Sequence, residues 1–542
     1  MTETGRRVAG AAGMLAASVV AARLFGVLRD ALLANQVGTG AAADAYFAAF
    51  LIPDILGYLL AAGAAAVAIT PPYLKRLTSP GEAAAADFAS VIVGNVGLLA
   101  TALTVLLWLA AEPLLRLQFG DFDAATLDET VRLMRIVLPA QIFFLTGGVL
   151  RGVLMAHGRF APQAAANVVY SAAPIVGGLA FALVRDEASA DGFAWGTLVG
   201  AVIGQWAIPA LALRRLPGAV GRVRIGLLDG DFREYVWLAL PLMLGLGLTT
   251  VDEWYEKWIG ATIAPGAIAA ITYARKLMMA PVGVVGQAVG AALLPSLTAL
   301  HQRGDAPGFD RLLTTTLRTT LGLGLLAAGA LAALALPLVR LIYAHGRFSD
   351  ADGELVAGLL RVLAIAVPGW VVQQVAVRGF YARGEMWLAM GLSSAIALGV
   401  FPLYWLGGAA RGIEGLAMAS ATAISLNAVL TIVWLRVRTG SPDPIGLVTT
   451  LTRGALVVSV AGIATLFSRP VLQAALPGIS NWPIVALVGG GAVYGGVALL
   501  VARLFGDEPM RAGLDALSKR LLGMLPRRRR PASPSDPDDA SR

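Results

Sequence analysis

Three ionisable residues interrupt an apolar run long enough to cross a bilayer: Arg23, Arg29 and Asp30 lie within residues 8–36, VAGAAGMLAASVVAARLFGVLRDALLANQ. An arginine at the centre of a spanning helix costs about 2.5 to 3.5 kcal/mol on translocon scales, so it faces protein or a watery space. For a helix entering the membrane near Arg7 and rising about 1.5 Å per residue, Arg23 stands about 24 Å up and Arg29 about 33 Å, at the outer edge. A spacing of seven places Arg23 and Asp30 on one stripe, whereas Arg29 points elsewhere unless the helix bends, which Gly26 permits. A guanidinium fork fits phosphate oxygens. The chemistry to expect is a cationic site for a phosphate-bearing substrate inside the membrane; for Arg29 and Asp30 the competing reading is an interfacial pair whose side chains snorkel to the headgroups.

A second charged set, VDEWYEKW at 251–258, sits in another apolar run. Glu253 and Lys257 are an i, i+4 pair in the favourable order and are expected to neutralise each other. Asp252 and Glu256 repel at the same spacing and need a proton, a metal ion or a basic side chain beside them. Arg275 and Lys276 meet that need, lying roughly 15 Å deep from the turn at Gly266. An ion-pair network and direct ligand contact both suit these residues, and the two coexist if the pair opens when substrate binds. Asp252, Glu256 and Asp30 are therefore candidates for ion coupling or gating. There is no cysteine, and the only histidines, His157, His301 and His345, fall in predicted short loops. No metal site and no cofactor are expected.

The elements that must hold these charges are membrane helices. With 57% hydrophobic and 14% charged residues over 542, the chain is an all-α integral membrane protein rather than a soluble one. Apolar windows give fourteen predicted spans, from 8–34 and 42–72 through 234–261 and 265–298 to 482–504. Arginine and lysine gather on alternate loops, at Arg6–Arg7, Lys75–Arg76, Arg159, the run 214–233, Arg303, Arg383, Arg436–Arg438 and the tail. The positive-inside rule then puts both termini in the cytoplasm. Arg116, Arg185, Arg347, Arg411 and Arg469 are exceptions on the outer side. The net charge of +8 reflects these loops and not a nucleic-acid partner. No loop is long enough for a catalytic domain, and the first span lacks a cleavage pattern and is read as retained.

A weak repeat divides the chain. GAAAVAITPPYLKRL from Gly63 matches GAALLPSLTALHQR from Gly290, and Arg151-Gly152 matches Arg378-Gly379, each pair six spans apart. The expected units are a six-helix lobe at 1–220, a second at 221–440, two further spans at 441–505 and a basic tail at 506–542, disordered at its end. The string AHGRF at 156–160 and 344–348 does not fit this register and is read as coincidence.

The stretch AARLFGVLRDALLANQVGTGAAADAYFAAFLIPDIL at 21–56 resembles the signature of the MurJ/MviN lipid II flippases, of the multidrug/oligosaccharidyl-lipid/polysaccharide exporter superfamily. Segments 151–169, 271–298, 342–352 and 377–387 resemble further landmarks of that family, so the likeness runs over nearly the whole chain. The resemblance implies fourteen helices, two lobes around a cationic cavity, and a groove for a lipid tail beside the last two spans. It implies that Arg23, Arg29 and Lys276, with Asp44 at the start of the second span, form the substrate site; Arg275 beside Lys276 is added as a ligand candidate for its own charge and depth. Departures are Gly57 and Tyr58 where the family has two arginines, Ala62 for a glutamate, and Arg275 and Met279 for two acids. The eleventh span carries no carboxylate, which speaks against the sodium site of some members.

The implied activity is transport, not enzymatic turnover: lipid II, an undecaprenyl-pyrophosphate-linked peptidoglycan precursor, moves to the outer leaflet by alternating access. Lipid II or a similar glycan lipid, the membrane lipids and the cell-wall synthesis machinery are the implied partners. The alternatives are a flippase for another undecaprenyl-linked glycan, a drug/cation antiporter, and a polyprenyl-glycan polymerase or ligase. The antiporter favours an acidic first lobe where this chain has Arg23, and the polymerase or ligase requires a sizeable outer loop.

Overall fold

The computed structural model describes residues 3–59, 64–185, 189–216, 218–248, 251–475 and 482–515. Gly63, Ala62 and the tail beyond 515, on which some expectations fall, lie outside them. The described residues are helical and contain no strand. The N-terminal half holds α1 (Glu3–Val37), α2 (Ala41–Ala49), α3 (Leu51–Leu59), α4 (Ala64–Thr78), α5 (Glu82–Leu109) and α6 (Ala111–Gln118). It continues with α7 (Ala124–Val137), α8 (Ala140–Ala156), α9 (Ala161–Arg185), α10 (Ala190–Gly200), a π-helical segment Ala201–Ala207 and α11 (Ile208–Leu213). The C-terminal half opens with α12 (Gly230–Leu248), α13 (Val251–Ile263), α14 (Ala267–Pro281), a second π segment Val282–Gly286 and α15 (Gln287–Gln302). There follow α16 (Ala306–Ala333), α17 (Ala335–Ile342), α18 (Asp350–Ala364), α19 (Val367–Ala382), α20 (Met386–Gly399), α21 (Phe401–Thr439), α22 (Pro444–Ala475) and α23 (Pro483–Phe505).

Eight helices among the described residues are individually long and apolar enough to cross a membrane. The count is nine when α18 and α19, bent by 43° at their junction, form one span. The other expected spans fall on broken or charge-bearing helices. The window 42–72 is divided among α2, α3 and α4, and 265–298 is interrupted by the second π segment. Pro281 lies at that interruption, where its missing N–H removes a rung of the α ladder. Arg411 and Gly412 (φ 58°) leave helical geometry inside α21, at the expected break between the eleventh and twelfth spans. Leu106, Leu183, Trp237, Leu398 and Phe467 are exposed, as lipid-facing side chains are where the surrounding solvent is itself apolar.

The described residues hold four buried clusters, one of which, with Leu326, Val457, Tyr494 and Ala502, joins α16 to α22 and α23. A large buried cluster joins Leu33, Phe47 and Phe193 of the N-terminal half to Ile268, Tyr273, Tyr343 and Leu360 of the C-terminal half. A second cluster gathers Ile69, Phe88 and Val153 with Phe232 and Tyr235 of α12, and a third gathers Leu297, Leu313, Val375 and Phe380. A Cβ on Gly152 of α8 would press on Ile69 and Ala66 of α4, and one on Gly290 of α15 would press on Gln374 and Arg378 of α19. Both AHGRF strings end a helix with a glycine at positive φ, Gly158 at 69° and Gly346 at 62°. The two turns are bonded differently: Arg159 N returns to Leu154 O of its own helix, whereas Arg347 N goes to Asn35 O of α1.

Candidate functional site

The α1 helix runs unbroken through Gly26, and no atom lies within 4 Å of where a Cβ would stand there. Arg29 and Asp30 still act together, because the Arg29 side chain folds back: Nε and a terminal nitrogen both lie 3.0 Å from Asp30 Oδ1. The same oxygen accepts a 2.8 Å hydrogen bond from Lys276 Nζ, on α14 of the other half. Lys276 Nζ also lies 4.6 Å from the centre of the Phe47 ring. One buried carboxylate thus holds two cations from the two halves, and both remain partly accessible, Arg29 at 27% and Lys276 at 30% of the side chain. Two cations on one carboxylate leave an excess positive charge at the seam, which an anionic ligand would neutralise.

Arg23 crosses the same seam. Its guanidinium stands where a Cβ on Gly283, in the second π segment, would come within 2.2 Å of it. Glycine at 283 therefore makes the space that the arginine fills. Arg23 is exposed on the described surface, and Asp54 of α3 is exposed too. Asp54 falls within the fields of Lys257, Glu253, Arg29 and Lys276.

Deeper in the C-terminal half, Arg275 makes a bidentate ion pair with Glu256, Nε to Oε2 at 2.6 Å, and donates to Ser420 Oγ at 2.8 Å. Both partners are buried, at 6% and 3% side-chain exposure, and the Arg275 guanidinium lies 5.8 Å from the Trp370 ring centre. The cation that Glu256 needs is thus Arg275. The expected Glu253–Lys257 ion pair does not form among the described contacts. Lys257 is buried. Asp252 is half-buried one turn before Glu256.

Asp44 serves as a cap in trans. Helix α14 begins after Gly266 (φ 89°), which offers no capping side chain. The Asp44 carboxylate from α2 accepts from Gly266 N at 2.6 Å and Ala269 N at 2.7 Å. Acids at a helix N-terminus satisfy free N–H groups and oppose the dipole. The cap belongs to a wider closure of this end: Thr39 donates to Asp352, Arg347 N donates to Asn35 O at 2.8 Å, and Tyr273 hydroxyl to Gly38 O at 3.3 Å.

The structure therefore brings Arg29, Asp30 and Lys276 together, sets Arg23 of α1 against Gly283 in the segment that continues α14, and places Glu256 and Arg275 in a separate buried pair. Asp44 stands apart at the closed end. Sequence reasoning missed Asp54, Gly283, Thr39 and Asp352. Asp54, in the apolar run LIPDIL, was readable as a buried charge; the others depend on partners far along the chain.

A helical bundle whose charges line the seam between two halves, on broken spans, defines a polytopic membrane transporter. Similar folds occur in a multidrug resistance MATE family transporter of the MOP superfamily, inward-facing, at TM-score 0.68 and 16% identity over 77% of this chain and 94% of that one. A lipid II flippase MurJ in an inward closed conformation has TM-score 0.73 at 18% identity, covering 90% and 98%. In sequence, the family described as lipid II flippase MurJ matches residues 33–486. The chain belongs to that family. A probable lipid II flippase MurJ of Rhizobium meliloti (strain 1021) is 29% identical over 508 residues, 90% of this chain and 92% of that one. One from Rhizobium tropici is 29% identical over 435 residues, 77% and 79%.

Proposed function

We propose that this transporter carries lipid II from the cytoplasmic to the outer leaflet by alternating access, with Arg23, Arg29 and Lys276 receiving its pyrophosphate. The observation that carries this reading is the convergence of Arg29 and Lys276, from opposite halves, on the single Asp30 carboxylate. A pyrophosphate offers more anionic oxygens than Asp30 and draws both cations off it, which loosens the tie between the halves. Residues 1–220 and 221–440 act as the two lobes, and residues 441–505 border the lipid tail. Both termini are cytoplasmic, and the tied end with Asp44, Gly266 and Asp352 is the outer face. Release of the head group there lets Asp30 recapture Lys276. Asp252, Glu256 and Arg275 keep the second lobe rigid while it rocks. The cell-wall synthesis machinery receives the exported precursor.

The test is replacement of the endogenous lipid II flippase in a bacterial host, with Arg23→Ala run beside the parent. Growth and outer-leaflet lipid II are expected with the parent and not with an Arg23→Ala protein inserted at equal level. Failure of a well-inserted parent would overturn lipid II as the cargo. In that case, accumulation of a different undecaprenyl-linked glycan on depletion in the native cell identifies it; Gly57 and Tyr58, where related chains carry arginines, are the residues that point there.

A further inference from the structure

A group of charged residues lies on the flank of the N-terminal half, remote from the seam. A groove of about 620 Å³ opens between the end of α5, the start of α6, the length of α7 from Asp128 onward, and α10. Its walls include Trp108, Glu112, Asp128, Arg132, Arg135 and Trp195. The tryptophans are 41% and 44% exposed, so neither is packed away. Arg135 Cζ sits 5.0 Å from the Trp108 ring centre, and Arg135 Nε donates to the Trp108 carbonyl at 3.3 Å. The described contacts of Arg135 include no carboxylate. Asp128 likewise has no ion pair among the described residues. By contrast Arg132 is held by Asp191 and, at 3.8 Å, by Glu129, while Glu112 is paired with Arg116 at 2.7 Å.

Residues 128, 132 and 135 share one stripe of α7, because spacings of four and seven return to the same face. Along that stripe the acid is outermost and the uncommitted guanidinium lies about 10 Å deeper, at the level of Trp108. Tryptophan marks the headgroup level of a bilayer. An amine-bearing phospholipid has the same order of charge, ammonium outward and phosphate beneath. We propose that this groove is a binding site for phosphatidylethanolamine of the outer leaflet, with its phosphate on Arg135 and its ammonium on Asp128. The proposal rests on the orientation given above and not on the identity of the transported cargo. A purely anionic headgroup meets Arg135 but is repelled by Asp128 and Glu112, and a choline headgroup has no N–H to donate to the carboxylates.

The experiment is native mass spectrometry of the purified full-length chain with equimolar phosphatidylethanolamine, phosphatidylcholine and phosphatidylglycerol of identical acyl chains. The parent is expected to retain phosphatidylethanolamine about tenfold better than phosphatidylglycerol, the scale of one charge-assisted hydrogen bond. Asp128→Asn should abolish that preference while phosphatidylglycerol retention holds or rises. Arg135→Gln should lower retention of all three, and Arg135→Lys, included in case the glutamine variant elutes as aggregate, should restore it. Equal retention of the three lipids by the parent would overturn the proposal and assign the groove to a covering protein. An unchanged preference in Asp128→Asn would overturn it as well. Transport enters none of these readouts.

Discussion

Two of the carboxylate–cation clusters among the described residues are built differently. Glu256 and Arg275 are matched one to one, bidentate, nearly inaccessible and tied further to Ser420. Asp30 is shared by Arg29 and Lys276, which remain about a third exposed and come from opposite halves. A bidentate buried pair resists change, since separating it strands a charge in a medium that cannot solvate it. A carboxylate with two half-exposed cations has an alternative: any phosphate that reaches the seam competes for them. The contrast assigns stability to the first cluster and exchange to the second.

The sharpest way to break this contrast is to remove one partner of the buried pair. Glu256→Gln leaves Arg275 uncompensated and is expected to cost about 3–5 kcal/mol, read as a large drop in Tm of the purified protein. Adding Arg275→Met should recover most of that loss, and failure to recover would show that Arg275 has a role beyond pairing.

Next in size is the cap that joins the halves. Asp44→Ala removes acceptors from Gly266 N and Ala269 N, and about 2 kcal/mol of destabilisation is expected. The same change should raise the labelling of a cysteine placed at Thr39, since the closed end loses a tie. Unaltered labelling would separate the cap from the closure.

Lys276→Gln should cost below about 1 kcal/mol of stability, as partly exposed pairs do. Even so, it should lose most lipid II transport in the replacement assay. A stability loss as large as that of Glu256→Gln would erase the distinction between the clusters.

The smallest effect is expected at Asp123, which caps its own helix α7 from outside the membrane through a 2.8 Å bond from Thr126 N. That bond, with the Thr126 hydroxyl, holds its carboxyl below the usual range. A depressed pKa means that the cap's contribution is complete above the ordinary aspartate range and is lost as pH falls through the depressed value. Asp123→Ala should therefore lower Tm slightly at pH 7, and by progressively less as the pH falls below the ordinary aspartate range. It sets the scale for a cap with no partner in the other half.

Much of this was legible along the chain because it is local. The apolar windows located the helices, the break at Arg411–Gly412 fell where hydropathy put it, and the repulsion between Asp252 and Glu256 called for a cation that Arg275 supplies to Glu256. What was not legible depends on residues brought together by folding. Asp44 caps a helix 222 positions away, and nothing near Asp44 in sequence announces it. The Glu253–Lys257 expectation failed for the converse reason. Its i, i+4 spacing is a statement about an isolated helix in water, and tertiary burial turned Lys257 elsewhere.

The π segment at Val282–Gly286 is in effect one residue let into an α-helix. Each residue advances a helix by about 100°, so the segment resets the phase of everything beyond it. Before the insertion, Lys276 answers to Asp30; after it, Gly290 answers to Arg378 and Gln374. Excising a single residue there would leave the composition almost untouched and swing every later side chain of that span onto the wrong neighbour. The seam and the C-terminal helix stack are thus kept in register by an irregularity, which lets one continuous span serve two contacts that a uniform helix would place out of step.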